Sequence, residues 1–301
     1  MNAVSPNPLY VLFALILVQI LFGLNYVISK IVVDLFPPLV WASIRIIISA
    51  LIMLLAAVIW KRPHPKGGAK FFVPLIGFAL LGTIVNQGSF LVGLHYTTST
   101  NSAVLNTLIP VFTCLFVTLR GQEKMGLLRV LGLMCALAGV LVIRRVEDFT
   151  LSNDTFVGDL LTILNCFSFG LFLAYAKEFI EKHDRVWTTA WMFIYGSVGL
   201  TLISVPEWSN FHKVEMSTVL AACMVFAVVG GTLLTYFLNN WALAHTQSSH
   251  VALFIYIQPV VATVFAWMWK SEPITMRTII SCCLIFLGVY FAVDRPKSTQ
   301  A

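Results

Sequence analysis

The run LYVLFALILVQILFGLNYVIS, Leu9–Ser29, decides the fold, because it holds 21 consecutive residues without a charged side chain. A helix needs about 20 predominantly apolar residues to cross the hydrocarbon core of a bilayer. The run is longer than the apolar part of a signal peptide and has no basic flank, so we interpret it as a retained membrane helix. Similar runs follow, and together they predict ten spans at 9–29, 38–60, 71–94, 99–119, 126–146, 156–177, 187–205, 216–240, 247–269 and 274–293.

The composition excludes the other broad classes of protein. Of the 301 residues, 59% are hydrophobic and only 11% are charged, whereas soluble domains are about half apolar and about a quarter charged. Disordered chains are also excluded, because they are poor in apolar and aromatic residues. The six cysteines all lie in apolar runs without metal-type spacing, so we expect packing residues and no metal or cofactor. The sequence therefore predicts an all-α polytopic membrane protein.

The formal net charge of +6 would favour nucleic acid in a soluble protein, but in a membrane protein basic residues report topology. If the N-terminus is cytoplasmic, the cytoplasmic loops and tail hold 12 of the 19 Lys and Arg residues, the opposite side holds 6, and Arg45 lies within a span. Basic loops favour the cytoplasmic side. We therefore predict a multi-pass protein with both termini cytoplasmic and no nucleic-acid partner.

The chain also repeats itself. Between residues 82 and 144, 12 residues are identical to the residue 149 positions later, among them Pro110 with Pro259 and Glu123 with Glu272. A second match, with an offset of 147, aligns Lys30 with Lys177. These offsets predict two five-helix repeats, residues 1–150 and 151–301. Because five is odd, the second repeat enters the membrane inverted, an architecture typical of secondary transporters with a midplane substrate site.

Four stretches carry a family resemblance. They are LFGLNYVISKIVVDLFPPLVWASIRIIISAL at Leu21–Leu51, TNSAVLNTLIPVFTCLF at Thr100–Phe116 with Glu123 beyond it, VGDLLTILNCFSFGLFLAYAK at Val157–Lys177, and QSSHVALFIYIQPVVATVFAWMWKSEPIT at Gln247–Thr275. These stretches resemble the EamA-type family of the drug/metabolite transporter superfamily, and the resemblance covers nearly the whole chain. It implies export of amino acids, metabolites, dyes or drugs, while related families carry nucleotide sugars or sugar phosphates.

From the repeat and the resemblance we expect a secondary active exporter of small metabolites, with amino acids first, in the bacterial plasma (inner) membrane. Its partners would be a small-molecule substrate and the lipid bilayer, with a proton as the candidate coupling ion and either a monomer or a homodimer as the assembly. Nucleotide-sugar or drug transport on the same fold, a passive channel and a membrane-embedded enzyme are the alternatives. The sequence contains no H-E-x-x-H or G-x-S-x-G motif, and we predict no catalytic residue.

Charged residues inside or beside spans need an explanation, because charge in hydrocarbon is costly. For Lys30 and Lys177 the alternatives are snorkelling to the headgroups and a gate or lock between helix bundles. Arg45 lies about 10 Å into the second span at 1.5 Å per residue. It snorkels outward or pairs with a carbonyl or Asp159, or else it attracts an anionic group at the outer mouth of a cavity.

Glu123 and Glu272 correspond through the repeat, and each begins a tight connection. Capping of the fifth and tenth helices would explain both acids through the helix dipole, with proton coupling as the alternative. Pro110 and Pro259 lie mid-span and should kink their helices. Such kinks are candidate hinges, with ordinary packing kinks as the alternative.

Amides and tyrosines mark the candidate cavity, because polar groups in hydrocarbon need partners and should point inward. For each single residue, interhelical packing is the alternative. Trp41 belongs to an interfacial belt or lines the outer vestibule. The fifth and tenth spans have almost no amides, so we expect them to form the outer layer. The candidate substrate-binding residues, besides Trp41 and Arg45, are Asn25, Asn86, Gln87, Asn106, Asn165, Tyr175, Tyr236, Asn239, Asn240, Tyr256 and Gln258.

Overall fold

The computed structural model describes residues 7–97, 99–143, 153–209, 216–270 and 276–292, and every regular element assigned within these ranges is helical. The all-helical character predicted from the sequence is confirmed for this part of the chain. The helices are α1 (Pro8–Val33), α2 (Pro38–Ile59), α3 (Ala69–Tyr96), α4 (Ser99–Leu105 and Leu108–Leu119), α5 (Leu127–Ile143), α6 (Asn153–Lys182), α7 (Arg185–Trp208), α8 (Thr218–Leu243), α9 (Ser248–Leu253, Phe254–Tyr256 and Ile257–Lys270) and α10 (Met276–Ala292). The helix winding is wider, as a π-helix, at Leu80–Val85 in α3 and at Val229–Leu234 in α8.

Seven of these helices, within the described ranges, are long and apolar enough to cross a bilayer. They are α1, α2, α3, the segment 102–119 of α4, α6, α7 and α8. The apolar segments of α5, α9 and α10 are shorter, at Leu127–Gly139, Ser248–Val261 and Ile279–Ala292. The chain is therefore a multi-pass membrane protein, and the layout of ten spans in two inverted repeats stays a prediction.

Local sequence explains where several helices begin. The Asn7 side chain accepts a hydrogen bond from the Leu9 amide at 3.0 Å, and Pro8 occupies the first turn of α1. Asp184 accepts from two amides at the start of α7, at 3.0 and 3.1 Å. Side-chain acceptors at this position satisfy amides that have no partner within the helix. Polar residues in the short connections therefore mark where these helices begin.

The two mid-span prolines interrupt their helices at equivalent points. A proline cannot bond the carbonyl four residues earlier and clashes with it. For Pro110 that carbonyl belongs to Asn106, where α4 breaks into two segments. For Pro259 it belongs to Ile255, which lies in the 3-10 turn of α9. Both interruptions therefore have the same physical cause, and they are separated by the repeat offset of 149 residues.

The helices of the two halves interdigitate. From the first half, α1 packs against α8 and α9, whereas from the second half α6 packs against α3 and α4. Helix α2 runs along α7. Two glycines permit close approaches between the halves, because a Cβ on Gly82 would lie 2.8 Å from the Phe172 ring and a Cβ on Gly231 would lie within 3 Å of Asn25. Thus α1 and α6 occupy the middle of the molecule.

Helices α5 and α10 pack mainly against each other, with smaller contacts to α9. Small residues line this crossing, and a Cβ on Gly132 would lie 2.6 Å from the carbonyl oxygen of Gly288. Small residues let membrane helices approach closely where no hydrophobic driving force exists between them. The pair lies outside the six helices that surround the cavity, in agreement with its lack of amides.

Three connections that carry charged residues, α2–α3, α4–α5 and α6–α7, meet at one end of the molecule. Arg62 in the α2–α3 connection lies 3.6 Å from Asp184, which precedes α7. Arg120 at the end of α4 lies 3.6 Å from Glu178 on α6. Glu123 in the α4–α5 connection accepts from the Ser249 amide of α9 at 3.3 Å. The charge distribution predicts these three connections to be cytoplasmic.

Candidate functional site

A cavity lies where α1, α3, α4, α6, α8 and α9 meet. Its volume is about 50 Å³, which holds about four waters at ~10–15 Å³ each. None of its lining residues is charged, and more than half of them carry an amide or hydroxyl group. The lining residues are Gln19, Phe22, Asn25, Tyr26, Asn86, Gln87, Phe90, Asn106, Ile109, Asn165, Phe169, Asn239, Ile255 and Gln258.

A chain of hydrogen bonds begins at Arg45 and passes along this cavity. Arg45 Nη2 donates to Gln87 Oε1 at 2.5 Å. Because a guanidinium can only donate, it fixes the orientation of the Gln87 amide, whose Nε2 then donates to Asn86 Oδ1 at 3.2 Å. Asn86 donates to Asn165 at 2.5 Å, and Asn165 donates to Asn106 at 2.7 Å. The amides of α3, α6 and α4 are therefore aligned in one direction by a single buried charge.

Tyr236 of α8 joins the same chain. Its hydroxyl accepts from Gln87 Nε2 at 2.5 Å and lies 2.8 Å from two acceptors, Asn86 Oδ1 and the Gly82 carbonyl oxygen. Gly82 lies in the π-helical turn of α3, where the wider winding changes the backbone hydrogen bonding. One hydroxyl thus connects the centre of α8 to the centre of α3.

On the α1 side, Gln258 of α9 makes two buried hydrogen bonds. Its Oε1 accepts from the Tyr26 hydroxyl at 2.9 Å, and its Nε2 donates to Gln19 Oε1 at 2.6 Å. Hydrogen bonds between side chains of membrane helices contribute about 0.6 kcal/mol on average and up to about 1.7 kcal/mol.

Arg45 itself is fully buried, so outward snorkelling is wrong. The expected pairing with Asp159 is not observed either, because Asp159 Oδ1 accepts from the Thr97 hydroxyl at 2.6 Å. Within the described ranges, Arg45 Nε and Nη1 are buried without a hydrogen-bond partner. Trp41, one turn earlier on α2 and 1% exposed, also has an indole N–H without a partner there, so it lies in the interior and not in an interfacial belt.

The cavity brings together seven of the predicted residues, namely Asn25, Asn86, Gln87, Asn106, Asn165, Asn239 and Gln258. Tyr236, also predicted, contacts two of its lining residues.

Three predicted residues lie elsewhere. Tyr175 is 46% exposed and lies beneath the Arg120 guanidinium, which is 4.1 Å from the ring centre. Asn240 donates to Thr189 between α8 and α7 at 3.0 Å. Tyr256 is fully buried in a hydrophobic cluster with residues of α5 and α10. Helical periodicity explains these positions, since each of these residues lies on a different face from its cavity-lining neighbours.

Lys30 and Lys177 make equivalent contacts at the ends of α3 and α8. Lys30 Nζ donates to the carbonyls of Leu94 and His95 at 3.0 and 3.1 Å, while Lys177 Nζ donates to those of Leu243 and Thr246. A cation at a helix C-terminus compensates the negative end of the helix dipole. Each lysine therefore fastens the first helix of its own half to the third helix of the same half, Lys30 joining α1 to α3 and Lys177 joining α6 to α8.

Glu123 caps a different helix from the one expected. Its carboxylate accepts from the amide and hydroxyl of Ser249, at the start of α9, and from Arg129 Nη1 at 3.0 Å. Arg129 is 3% exposed and also donates to Gln247 at 2.7 Å. The acid and its basic partner thus tie the α4–α5 connection to α9 of the other half. Glu272 lies outside the described residues.

The sequence analysis did not select Gln19, Phe22, Tyr26 or Arg129. The first three are spaced i, i+3 and i+7 on α1, which places them on one face of the helix, and that spacing was the available signal. The Arg129 interaction had no local signal, because Gln247 is 118 residues away along the chain.

Comparisons with known proteins agree with this architecture. The model of the EamA-like transporter family matches residues 9–145 and again residues 156–293. An uncharacterized transporter, YoaV, of Bacillus subtilis is 25% identical over 95% of this chain and 99% of its own length. An uncharacterized transporter of Archaeoglobus fulgidus is 26% identical over 81% of this chain and 83% of its own length.

More distant relatives extend the similarity. A chloroplastic WAT1-related protein of Arabidopsis thaliana is 22% identical over 92% of this chain and 68% of its own length. One crystal structure superposes with a TM-score of 0.76 over 94% of both chains at 16% identity, which shows a common fold.

Proposed function

Because this chain belongs to the EamA-like transporter family, we propose that it is a secondary active transporter that moves small polar metabolites by alternating access. The relatives' names are those of transporters, so the role is that of a membrane transporter and not of an enzyme. Within the proposal, amino acids are the first substrates to test and export is the expected direction. The membrane is the bacterial plasma membrane, with both termini cytoplasmic.

The observation that carries the proposal is the amide-lined cavity between the halves. Its lining offers donors and acceptors to a polar solute and aromatic rings to an apolar part. Pockets for small organic ligands are usually about 300–1,000 Å³, so a cavity of about 50 Å³ must widen to admit a metabolite. Such widening is the expected behaviour of a site that opens to one side at a time.

Duplicated contacts support the two-repeat arrangement within this proposal. One such pair is the contact of Lys30 on α1 with the end of α3 and of Lys177 on α6 with the end of α8. The glycine contacts of α3 with α6 and of α8 with α1 are another. Because the glycine contacts cross between the halves at positions related by the offsets of 149 and 147 residues, a rocking motion of one half against the other would exchange equivalent interfaces. The repeats 1–150 and 151–301 are the proposed moving units, with Pro110 and Pro259 as candidate hinges.

Counterflow in reconstituted vesicles tests the proposal. Vesicles containing the full chain are loaded with each of a panel of unlabelled amino acids and other metabolites, and uptake of the labelled compound is followed. For at least one compound, saturable uptake above that of empty vesicles is expected. Linear, non-saturating flux would contradict the proposal and favour a channel, and absence of flux across the panel would contradict the predicted substrate class. Repeating the assay with an imposed pH gradient tests the proton as coupling ion.

Two residues of α6 provide a matched comparison for the transported compound. Asn165→Leu removes an amide that is hydrogen-bonded on both sides within the cavity, and we expect about tenfold slower counterflow, which corresponds to ~1.4 kcal/mol. Tyr175→Leu alters a side chain of the same helix outside the cavity, and its transport should stay near that of the wild type. Equal loss in both variants would contradict the assignment of the cavity.

A further inference from the structure

Three buried donor groups lie on one face of α2. Trp41 and Arg45 are four residues apart, so their side chains are neighbours on the helix surface. Trp41 Nε1, Arg45 Nε and Arg45 Nη1 are all buried, and none has a hydrogen-bond partner in the described part of the chain. Buried polar atoms are normally hydrogen-bonded. Since these three can only donate, what they lack is an acceptor.

The charge of Arg45 is likewise uncompensated by the described residues. Its one recorded hydrogen bond goes to the neutral Gln87. Neither of two nearby acids pairs with Arg45. Asp159 accepts from Thr97 through Oδ1, while its buried Oδ2 has no partner in the described part of the chain. Glu207 accepts from the Leu39 amide at 2.9 Å. A buried cation without an anion is costly, which makes this position a site for a negatively charged group.

Packing does not require this charge. The offset of 147 residues aligns Pro38, the first residue of α2, with Arg185, the first residue of α7. The same offset aligns Arg45 with Met192, which is also fully buried. An unbranched apolar side chain of comparable length thus occupies the equivalent place in the other half. We infer that the charge of Arg45 has a role specific to the first half, beyond packing.

The guanidinium lies directly behind the cavity wall. Gln87 lines the cavity and accepts the 2.5 Å hydrogen bond from Arg45 Nη2. An anionic group at Gln87 therefore reaches Arg45 if the Gln87 side chain moves aside. Because Gln87 also donates to Tyr236, its displacement would loosen the connection between α3 and α8 at the same time.

From this geometry, and resting on the proposed transport function, we propose that the substrate is a small solute with one carboxylate group, which binds Arg45 in place of Gln87. A single buried cation among neutral amides matches a single negative charge. Groups with two negative charges, such as phosphate esters, would leave one charge unpaired in the same site. The aromatic side chains Phe22, Phe90 and Phe169 would receive the remaining apolar part of the solute.

Binding of matched compounds to the purified full-length protein tests the proposal. The probes are aliphatic monocarboxylates and the common amino acids, each beside its methyl ester or amide, and the readout is the ligand-induced shift in melting temperature. We expect stabilisation by at least one acid and about tenfold weaker binding of its ester. Stabilisation by esters and amides equal to that by the acids, or stabilisation by phosphate esters alone, would overturn the carboxylate assignment.

Variants locate the site. Arg45→Met copies the residue at the equivalent position of the other half and should fold, yet bind the acid about tenfold or more weakly, with Arg45→Lys in between. Arg62→Met, at a half-exposed basic residue, is the control and should bind like the wild type. Wild-type affinity for the acid in folded Arg45→Met would overturn the proposal. If Arg45→Met does not fold, equal affinity of Arg45→Lys and wild type would overturn it.

The two proposals fail in different ways. Binding of an acid that depends on Arg45, without counterflow of that acid, would leave the anion site standing and contradict transport. Counterflow of a neutral or cationic solute that is unchanged in Arg45→Met would support transport and overturn the carboxylate proposal.

Discussion

Gln87 and Tyr236 are 149 residues apart, the offset that aligns the two halves of the sequence, and they are hydrogen-bonded to each other at 2.5 Å. In the proposed arrangement of two inverted repeats, two equivalent positions can touch only where the axis relating the halves passes between them. The contact therefore marks the centre of the molecule, and it lies beside the cavity and one bond away from Arg45. The first interaction to change when the halves move should be this one.

A double-mutant cycle on this pair tests that role. Tyr236→Phe removes the hydroxyl that bonds Gln87 and the Gly82 carbonyl, and Gln87→Leu removes the amide. We expect each single variant to lower the free energy of unfolding by about 1–3 kcal/mol, because each leaves a buried polar group without a partner. Thermal or denaturant unfolding in detergent measures this, and additive effects of the two substitutions would argue against a direct coupling.

The buried pair Glu123 and Arg129 should fasten the end of the molecule that the charges predict to be cytoplasmic. Glu123→Gln leaves the 3%-exposed Arg129 without its carboxylate, and loss of one partner of a buried pair costs about 3–5 kcal/mol. Unfolding measurements should show this loss. The double variant Glu123→Gln with Arg129→Met should regain part of it, whereas a double variant less stable than Glu123→Gln would contradict the pairing.

Lys30→Met and Lys177→Met should have similar effects, because each lysine donates to the final carbonyls of an equivalent helix. Cations at helix C-termini contribute about 0.3–1 kcal/mol, and up to about 2 kcal/mol when partly buried. We expect a loss of stability of this order in both, measured as a change in melting temperature. Lys66→Met, at an exposed loop residue, serves as control. A loss in one variant only would contradict the equivalence of the two contacts.

Asn106→Ala and Tyr256→Ala should separate function from folding. Asn106 belongs to the amide chain of the cavity, so its loss should reduce counterflow more than expression. Tyr256 is packed among residues of α5 and α10, and removing a buried aromatic side chain costs about 3–5 kcal/mol. Its loss should therefore reduce the amount of folded protein, measured by size-exclusion chromatography. Normal folding with abolished transport in Tyr256→Ala would contradict this division.

Much of the fold could be predicted from the sequence because its signals are local. Apolar runs specify the helices, and the prolines specify where α4 and α9 are interrupted. Polarity within apolar runs identified Asn86, Asn106 and Asn165, since an amide in hydrocarbon must point inward to find a hydrogen-bond partner. Polarity alone misplaced Tyr175, which lies ten residues after Asn165 and thus about 80° around the helix at 3.6 residues per turn.

The remaining features depend on contacts between distant parts of the chain. An acid after α4 indicates a helix cap, yet only the folded chain reveals that the capped helix is α9, reached through Ser249 at a separation of 126 residues. In the same way, the sequence identified Arg45 as buried, while its partner Gln87 and the free N–H groups follow from how α2 packs against α3.

We propose that one cavity opens to one side of the membrane at a time, and the accessibility of a cysteine within it tests this proposal. In a chain whose six cysteines are replaced, Asn106→Cys is treated with a membrane-impermeant thiol reagent from either side of sealed vesicles. Labelling from both sides is expected. Cross-linking Glu123→Cys to Ser249→Cys should then abolish labelling from the cytoplasmic side while labelling from the opposite side persists. Labelling from both sides that continues after cross-linking would contradict alternating access.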